Sequence, residues 1–372
     1  MTEATESRFS INTILEWFTT TIGQIVAAII VPVVTGFVMI QGFIFLRDGN
    51  APKYVIALVA ILWGVGGVAL IYFVTNWLIE QLPGKWMGRL QPFLFVGPAV
   101  AILAWYLAIP TVRTFIASLK DRTGDDWVGL ANYIAVFTER NMTIAFRNNL
   151  LWIAFGATLS VLFGLLVAVL ADRSRFESFA KSMIFLPMAI SMVGAGVIWN
   201  FIYEVKEPGA AQIGLLNAIW TGLGGQPQAW TAMLQPWNNL FLIIILIWLQ
   251  TGYAMVIFSA AIKGIPEELL EAARVDGASE VQIFFRIMIP YILGTIITVA
   301  TTIIIFTLKI FDVVWVMTGG QFGTHVIATQ FYRQAFTNQN KGFASAIAIV
   351  LVILVIPVMI YNLRQFAEEE AF

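Results

Sequence analysis

Polar side chains that could bind a small polyhydroxylated solute lie inside otherwise apolar stretches of the sequence. Gln250 and Tyr253 are within one helical turn of each other in a long apolar run, and Trp199 precedes Asn200 in another. Amides and hydroxyls make directional hydrogen bonds, and an aromatic ring offers a flat apolar face. We interpret them as candidate sugar ligands, although hydrogen bonding between helices is the alternative role for each. Further candidates of the same kind are Thr302, Thr307 and Phe311.

Several kinds of enzyme chemistry lack the residues they need. The chain has no cysteine, which excludes disulfides, thiol catalysis and cysteine-based metal sites, and His325 is its single histidine. It has no nucleotide-binding G-x-x-x-x-G-K-S/T pattern, and no nucleophile-elbow, zinc-peptidase or paired-carboxylate pattern lies in a plausible context. The net charge of −1 argues against nucleic-acid binding. We therefore predict no catalytic, cofactor-binding or metal-binding residues.

The elements that position the candidate ligands are predicted to be membrane-spanning helices. Of the 372 residues, 59% are hydrophobic and 12% are charged, whereas about a quarter are charged in a soluble domain. A bilayer admits only helices or a closed barrel, and the long, continuous apolar runs favour helices over alternating barrel strands. We predict an all-α membrane protein with eight transmembrane helices, each of about 20 residues. The runs are Ile22–Leu46, Val55–Ile79, Gln91–Val112, Asn148–Ala171, Ser182–Tyr203, Asn238–Ile262, Ile289–Leu308 and Gly342–Leu363.

A polar connection, Lys263–Pro290, separates the sixth and seventh runs. Pro266 suits the first turn of a helix, and Gly277 can adopt the left-handed conformation that ends one. Ser279 followed by Gln282 is a capping-box pattern, which predicts that a second helix begins there. The connection is therefore predicted to form a short helix, a glycine turn and a second helix that leads into the seventh span, with a bend at Pro290.

This connection resembles the EAA loop of ABC-importer permeases. The matching positions are Glu271, Ala272, Ala273, Gly277, Ala278, Phe284, Ile287 and Pro290, and Asp276 fits the form of the loop in sugar-importer permeases. In that family the loop is the cytoplasmic coupling helix that docks in a cleft of the ATPase subunit. An ordinary interfacial helix would explain the apolar stripe of Leu269, Leu270 and Ala273. It would not explain why all the matching positions occur together. The resemblance implies a coupling role for Glu271, Ala272, Ala273, Asp276, Gly277 and Ala278.

The end of the seventh run carries a second resemblance, to a stretch of sugar permeases. The matching positions are Phe311, Asp312, Thr318, Gly319, Gly320, Thr329, Tyr332 and Phe336. The usual Gly-Pro after the glycine pair is Gln321-Phe322 here, which leaves the shape of the turn open. Lys309 and Asp312 either pair on one helix face or extend separately from the helix end.

Together these stretches resemble the permease of the maltose and α-glucoside importers, over roughly residues 91–363. The resemblance implies a cytoplasmic tail and two extra spans in residues 1–90, a six-span type I ABC-importer core in 91–363 with coupling loop 263–290, and a cytoplasmic tail in 364–372. It implies a transport subunit without its own ATPase, since ATP and Mg would bind a partner. The implied partners are a second permease in a heterodimer, two ABC ATPases, a periplasmic sugar-binding protein and membrane lipid.

Orientation follows from the resemblance, which implies a bacterial inner membrane with both termini in the cytoplasm. The count of basic residues does not decide it, because ten of the 21 lie on the implied cytoplasmic side and eleven do not. Segments 113–147 and 204–237 would then face the binding protein, although their aromatic residues also suit a membrane-interface belt. Residues 1–21 carry no removable signal peptide and form either an interfacial helix or a disordered tail.

Two other classes of protein are alternatives. One is an ABC permease for a non-sugar solute, such as an amino acid or a polyamine, against which the second resemblance argues. The other is a channel or polytopic enzyme that acts alone, which would leave the Lys263–Pro290 connection unexplained. Among sugars, a disaccharide, a longer α-glucan and a glycosyl osmolyte all fit the sequence.

Overall fold

The structure is a computed structural model that describes residues 21–82, 84–172 and 174–369. These residues are mostly helical and contain no β-strand, only an isolated bridge between Lys120 and Trp127. The all-α prediction is therefore confirmed for the described part of the chain. The prediction for the N-terminal segment falls almost entirely on residues 1–20, outside the described residues.

The helices follow one another along the chain with short connections. The first seven are α1 (Thr21–Asp48), α2 (Lys53–Glu80), α3 (Gly84–Ser118), α4 (Ala131–Thr138), α5 (Arg140–Asp172), α6 (Glu177–Phe185) and α7 (Met192–Ile202). The others are α8 (Leu215–Gly222), α9 (Trp237–Lys263), α10 (Glu267–Val275), α11 (Glu280–Tyr291), α12 (Leu293–Leu308), α13 (Asp312–Thr318), α14 (Ile327–Tyr332) and α15 (Lys341–Glu369). A π-helical turn, Arg333–Thr337, continues α14.

Six of the described helices are long and apolar enough to cross a membrane, namely α1, α2, α3, α5, α9 and α15. The number rises to as many as eight if each of two bent pairs counts as one span. In one pair α6 meets α7 at 103°, and in the other α11 meets α12 at 71°. All eight predicted runs fall on these helices, but the fifth and seventh runs are broken rather than continuous.

The break in the fifth run follows from its sequence. Pro187 lies in a 3₁₀ turn, Leu186–Ala189, and Ile190 then takes an extended conformation. The hydroxyl of Ser191 accepts a hydrogen bond from the N–H of Gly194 at 3.0 Å and so caps the start of α7. A proline followed by a new N-cap ends one helix and begins another, which explains why this apolar run is not one straight helix.

Two compact units divide the chain, one up to Pro110 and one from Thr111 onward. The first holds α1, α2 and most of α3. Within it, the indole of Trp63 donates to the carbonyl of Met39 at 3.1 Å. The second unit holds every predicted site residue. The predicted domain boundary at residue 90 remains a prediction. It was inferred from the family resemblance, whereas the two units are defined by how the chain packs.

Helix α9 lies at the centre of the second unit. Its first half packs in a buried cluster with Trp152 and Val313, and its second half packs in another with Ile283 and Ile303. Its small residues allow close contacts, because a Cβ added to Gly252 would lie 2.5 Å from the carbonyl oxygen of Ile184. Small residues are the usual means of close helix packing in membranes. Helix α9 therefore connects the two buried clusters of this unit.

Candidate functional site

The predicted coupling element consists of two short helices joined by a glycine turn. Helix α10 begins after Pro266, and Gly277 has a φ of +81°. The N–H of Ala278 bonds to the carbonyl of Ala273 at 3.0 Å, and that of Gly277 bonds to the carbonyl of Arg274 at 3.1 Å. These two bonds form a Schellman ending, which requires a left-handed residue and therefore favours glycine. The predicted helix and turn are confirmed.

The second helix of the element begins at the predicted capping box. The Ser279 hydroxyl accepts from the N–H of Gln282 at 3.3 Å, and the Ser279 N–H donates to the Gln282 side chain at 2.8 Å. Helix α11 then meets α12 with the 71° bend centred on Ile292, two residues after Pro290. Proline leaves a carbonyl in the preceding turn without its usual partner. The bend predicted at Pro290 is therefore present.

Helix α10 has one face on the protein and one face on solvent. Leu270 and Ala273 pack against the buried cluster of α9 and α11. Glu271 and Ala272 are exposed, and Val275 is 87% exposed. Helix α10 therefore leaves Glu271, Ala272 and Val275 accessible on its outer face.

Charged side chains surround the turn between α10 and α11. The guanidinium of Arg274 donates to Glu280 at 2.9 Å, and this hydrogen bond raises the pKa of Arg274. On the other side of the turn, exposed Asp276 lines a cavity of about 280 Å³ together with Gln282 and Arg286. The turn therefore presents polar groups of both signs to a partner.

An ion network fixes the helix ends that support the coupling element. Lys181 contacts the Asp172 carboxylate, Glu177 at 2.5 Å and the hydroxyl of Ser259 at 2.5 Å. Ser259 also donates to Asp172 at 2.8 Å, and Lys263 bonds to Glu177. These residues belong to α5, α6 and α9, so the network joins three helices where α9 leads into the coupling element. The sequence analysis did not predict this network, although the opposite charges of segment 172–181 were a signal.

A cavity of about 160 Å³ separates this network from the coupling helices. Asp172, Leu270, Arg274 and Glu280 are among its lining residues. The second carboxylate oxygen of Asp172 is buried, and no described residue donates to it. The cavity leaves space for α10 to shift relative to the end of α5.

Four of the predicted sugar ligands lie on α7 and α9. Gln250 is buried, and no described residue makes a hydrogen bond with its side chain. Tyr253 and Trp199 are half-buried, whereas Asn200 is exposed. The ring of Trp199 meets that of Trp248, two residues before Gln250, at a centroid distance of 5.8 Å. The structure therefore brings α7 and α9 together at the level of the predicted ligands.

The two predicted threonine ligands lie on α12 and use their hydroxyls within it. Thr302 donates to the carbonyl of Thr298 at 2.8 Å, and fully buried Thr307 donates to the carbonyl of Ile303 at 2.7 Å. No described contact brings them to the α7–α9 group. Their ligand role remains a prediction. It would require each hydroxyl to exchange its hydrogen bond to the helix backbone for one to the solute.

Phe311 lies at the start of α13 in a row of aromatic rings. Its ring stacks on Trp315 at 5.5 Å, and Tyr332 and Phe336 continue the row. The sequence analysis treated Tyr332 and Phe336 only as motif positions and did not single out Trp315. The sequence signal for this row was the four-residue spacing of Phe311 and Trp315 and of Tyr332 and Phe336. Only folding places these two pairs side by side.

Lys309 does not pair with Asp312. The described residues form no ion pair between them, and the Lys309 ammonium lies 5.7 Å from the ring centroid of Phe306. Helix α12 ends at Leu308 and α13 begins at Asp312, so the two residues do not share one helix. Of the two alternatives for Lys309 and Asp312, the structure shows separate extension, because no single helix continues from one residue to the other.

The turn after the glycine pair is held from two neighbouring helices. Phe322, where the family pattern has proline, takes a φ of +54°. The side-chain amide of Asn238 donates to its carbonyl at 2.7 Å, and Asn148 donates to the carbonyls of Gly323 and His325 at 2.7 and 2.8 Å. Strained backbone persists only where surrounding contacts fix it. The departure from the family pattern is therefore accommodated by buried asparagines.

The single histidine is part of this packing. His325 is 6% exposed, and its Nε2 lies 2.9 Å from the carbonyl oxygen of Asn141. Burial lowers its pKa, and the nearby charges of Arg333 and Arg147 lower it further. The imidazole is thus stabilised in its neutral form.

The connection between α3 and α4 contains local polar structure. Hydrogen bonds from the Thr123 hydroxyl and from the backbone N–H groups of Gly124 and Asp125 lower the pKa of Asp121 to about 2. The ammonium of Lys120 lies 5.5 Å from the ring centroid of Trp127. These contacts order the segment after α3.

Comparison with known proteins places this geometry in a family. Residues 160–367 match the family described as binding-protein-dependent transport system inner membrane component. The osmoprotective compounds uptake permease protein GgtC of Synechocystis sp. is 51% identical over 74% of this chain and 99% of its own length. The α-glucoside transport system permease protein AglF of Rhizobium meliloti is 49% identical over 76% of this chain and 84% of its own length.

A solved structure has the same fold. It is the crystal structure of a bacterial ABC transporter involved in the import of the acidic polysaccharide alginate. The TM-score is 0.64 at 21% identity, and the match covers 76% of this chain and 99% of that chain. At this identity the likeness concerns the fold alone.

Proposed function

The chain belongs to the family of binding-protein-dependent transport system inner membrane components, and from this premise we propose that it is the permease subunit of an ATP-driven importer for a sugar or glycoside. The names of the two relatives support an α-glucoside or a glycosyl osmolyte as the substrate. A permease for an amino acid or a polyamine is not favoured, because these relatives at about half identity are named for α-glucosides and osmoprotective compounds.

The observation that carries the proposal is the element made of α10, the Gly277 turn and α11. It lies between two helices that lead into apolar spans, and it presents Glu271 and Val275 to solvent. An exposed, capped helix fixed at both ends can transmit force without unfolding. A channel or enzyme acting alone would have no use for such an element.

The partners follow from the family and from the missing nucleotide site. Two ABC ATPases would bind ATP and Mg and dock on α10. A second permease carrying its own EAA-type loop would complete a heterodimer, and a periplasmic sugar-binding protein would deliver the substrate. The chain itself would carry no cofactor and perform no catalysis.

The membrane arrangement that fits this role counts each bent helix pair as one span. Eight spans place both termini on one side, which is the cytoplasm if the coupling element faces the ATPases. The two spans in residues 1–90 would precede a six-span core in 91–363. Breaks inside spans are tolerated where neighbouring helices or a cavity satisfy the backbone.

We propose that α10 acts as a lever. Closure of the ATPases would push the exposed face of α10, and the Schellman turn would pass the motion to α11. The ion network around Lys181 would transmit it to α5, α6 and α9. The core spans would then alternate between outward-facing and inward-facing states around a site near mid-membrane.

The substrate site would lie between α7 and α9. Gln250 supplies an amide without a hydrogen-bond partner in the described part of the chain, and Tyr253 and Trp199 supply ring surface. Buried polar groups inside spans are functional candidates for this reason. Asn200, Thr302 and Thr307 remain weaker candidates, because Asn200 is exposed and the threonine hydroxyls bond within α12.

The first test is to purify the tagged chain gently from its native membrane and identify what accompanies it. We expect an ABC ATPase and a second EAA-type permease. ATPase activity of the complex should rise when a sugar-binding protein loaded with an α-glucoside is added. A chain that is stable, homogeneous and alone would contradict the proposal and favour a self-contained channel or enzyme.

A further inference from the structure

A row of four aromatic rings joins α13 to α14 in the second unit. Trp315 lies 4.5 Å from Tyr332 between ring centroids, and Tyr332 lies 4.8 Å from Phe336. Phe311 contacts both Trp315, at 5.5 Å, and Tyr332, at 5.3 Å. The row follows the end of α12 opposite to the coupling element, because α12 begins at Leu293 beside α11 and ends at Leu308.

The rings of the row meet at different angles. Only Phe311 and Trp315 are nearly parallel, at 16°, whereas Tyr332 is tilted by 57° to Trp315 and by 40° to Phe336. Phe336 ends the row with 64% of its surface exposed, and the other three rings are half-buried. The exposed ring of Phe336 leaves an apolar face on which a flat ligand can stack.

Polar groups beside these rings have no partner in the described part of the chain. Neither the indole N–H of Trp315 nor the hydroxyl of Tyr332 makes a hydrogen bond there, and neither atom is fully buried. Asp312 is half-buried and forms no ion pair or side-chain hydrogen bond with a described residue. It is three residues from Trp315, so both lie on one side of α13.

A second pair of rings in the same unit shows what a purely apolar contact looks like. Phe137 stacks on Phe146 at 5.6 Å and 8°, and Phe137 is 63% exposed. Both residues of this pair are phenylalanine, so neither ring has a donor or acceptor. The row at α13 differs because it combines open ring faces with a carboxylate, a hydroxyl and an indole N–H. That combination matches a sugar, whose ring has apolar C–H faces and an edge of hydroxyl groups.

We propose that Asp312, Trp315, Tyr332 and Phe336, together with Phe311, form a sugar-binding surface that is separate from the Gln250–Tyr253 site and takes the glucosyl ring of an α-glucoside. The Asp312 carboxylate accepts hydrogen bonds from sugar hydroxyls, the ring of Phe336 provides the stacking face, and the hydroxyl of Tyr332 supplies a further hydrogen-bonding group. This inference rests on the proposed importer function and deepens it. The surface holds the sugar at the outer end of its path, before it reaches the α7–α9 site.

A direct test uses ¹⁹F NMR on the full importer complex, with this chain labelled with 5-fluorotryptophan. Loss of one signal in Trp315→Phe assigns the Trp315 resonance. The probes are three α-glucosides, namely trehalose, sucrose and maltose. We expect at least one to shift the Trp315 resonance saturably, and the shift to weaken about five- to tenfold in apparent affinity in Asp312→Asn. The shift should persist in Gln250→Ala, since the two sites are separate.

Transport kinetics provide the matched comparison. Phe336→Ala and Phe137→Ala remove equally exposed rings from the surfaces of the same unit. We expect Phe336→Ala to raise the KM for uptake of the same α-glucoside about fivefold with little change in maximal rate, because one stacking contact is lost. Phe137→Ala should leave both constants unchanged.

The outcomes separate this inference from the function on which it rests. If the unaltered complex imports an α-glucoside but the Trp315 signal stays fixed and Phe336→Ala has a normal KM, the sugar surface is overturned and the importer stands. A Trp315 shift that vanishes in Gln250→Ala would also overturn it, as an indirect effect of the inner site. If the unaltered complex imports none of the three probes, the α-glucoside assignment fails and this surface fails with it.

Discussion

Glu271 is the residue through which we expect the coupling element to meet its ATPase. It is exposed on α10, and Arg274 is its nearest basic neighbour along the helix. We predict that Glu271→Lys reduces ATP-driven uptake at least about tenfold, because a reversed charge at a polar contact turns attraction into repulsion. The measurement is uptake by complexes reconstituted in proteoliposomes, after normal insertion of the variant has been confirmed.

The control for this substitution is Glu80→Lys, the same charge reversal at an exposed position at the end of α2. It should transport at the normal rate. Normal uptake by Glu271→Lys would exclude the coupling role assigned to this carboxylate.

His325 makes the stability of the turn after the glycine pair depend on pH. Burial lowers its pKa in the folded state, so its stabilising contribution is present above the unfolded pKa of about 6.5 and is lost as the pH falls below that value. We predict that thermal stability in detergent falls between pH 7.5 and pH 5.5. The drop should shrink in His325→Gln, which has no charge to gain. An unchanged drop would assign the acid sensitivity to other groups.

At the scale of elements, the glycine turn between α10 and α11 depends on a left-handed residue. Gly277 has a φ of +81°, and an added Cβ would meet no atom within 4 Å. Gly277→Ala should therefore cost about 1–2 kcal/mol through backbone strain alone. Thermal unfolding of the detergent-solubilised chain measures this cost. Gly222→Ala, at an open position in α8 without a positive φ, should be neutral or slightly stabilising. Equal stabilities of the two variants would contradict the assigned turn.

The ion network around Lys181 is expected to fix three helix ends. Lys181 and Asp172 side chains are 17% and 13% exposed, so removing the lysine leaves a poorly hydrated carboxylate without its cation. We predict that Lys181→Met destabilises the chain by about 3 kcal/mol. Thermal unfolding and ATP-driven uptake would both be measured, because a loosened lever should lower transport as well.

Two further variants make this prediction specific. Lys263→Met removes an ion pair whose lysine is 55% exposed, so its cost should stay below about 1 kcal/mol. Asp172→Asn added to Lys181→Met should restore part of the stability, because the uncompensated charge is then removed. A Lys181→Met variant as stable as Lys263→Met would show that the network contributes little.

At the scale of the whole molecule, helices α1 and α2 are expected to be dispensable for transport. All candidate site residues lie in the second unit, and the Synechocystis relative aligns over 99% of its length to only 74% of this chain. We predict that a variant beginning at Gly84, which keeps α3 intact, still inserts, assembles and supports uptake within about twofold of the full chain. Uptake normalised to assembled complex is the measurement. Assembly without uptake would assign the first two helices a part in transport.

The composition and the helix-capping and helix-ending residues by themselves determined three features. These are the helical membrane class, the positions of the apolar runs and the two helices joined by a turn at residues 263–290. These features are local. Long apolar runs must satisfy their own backbone in a bilayer, and Gly277 and the Ser279–Gln282 box act within a few residues of their positions. The family resemblance at Glu271–Ala278 was likewise readable, since it depends on residue order alone.

Only the tertiary structure decided which distant side chains meet. The broken fifth and seventh runs, the Asp172–Lys181–Ser259 network and the asparagines that hold the turn at Phe322 all join segments far apart in sequence. The choice between the two alternatives for Lys309 and Asp312 also required the structure, because helical spacing holds only while one helix continues. Aromatic pairs four residues apart could be seen in the sequence, but their union into one row required α13 and α14 to pack together. Packing depends on the shapes of whole helices, and no local pattern of residues contains that information.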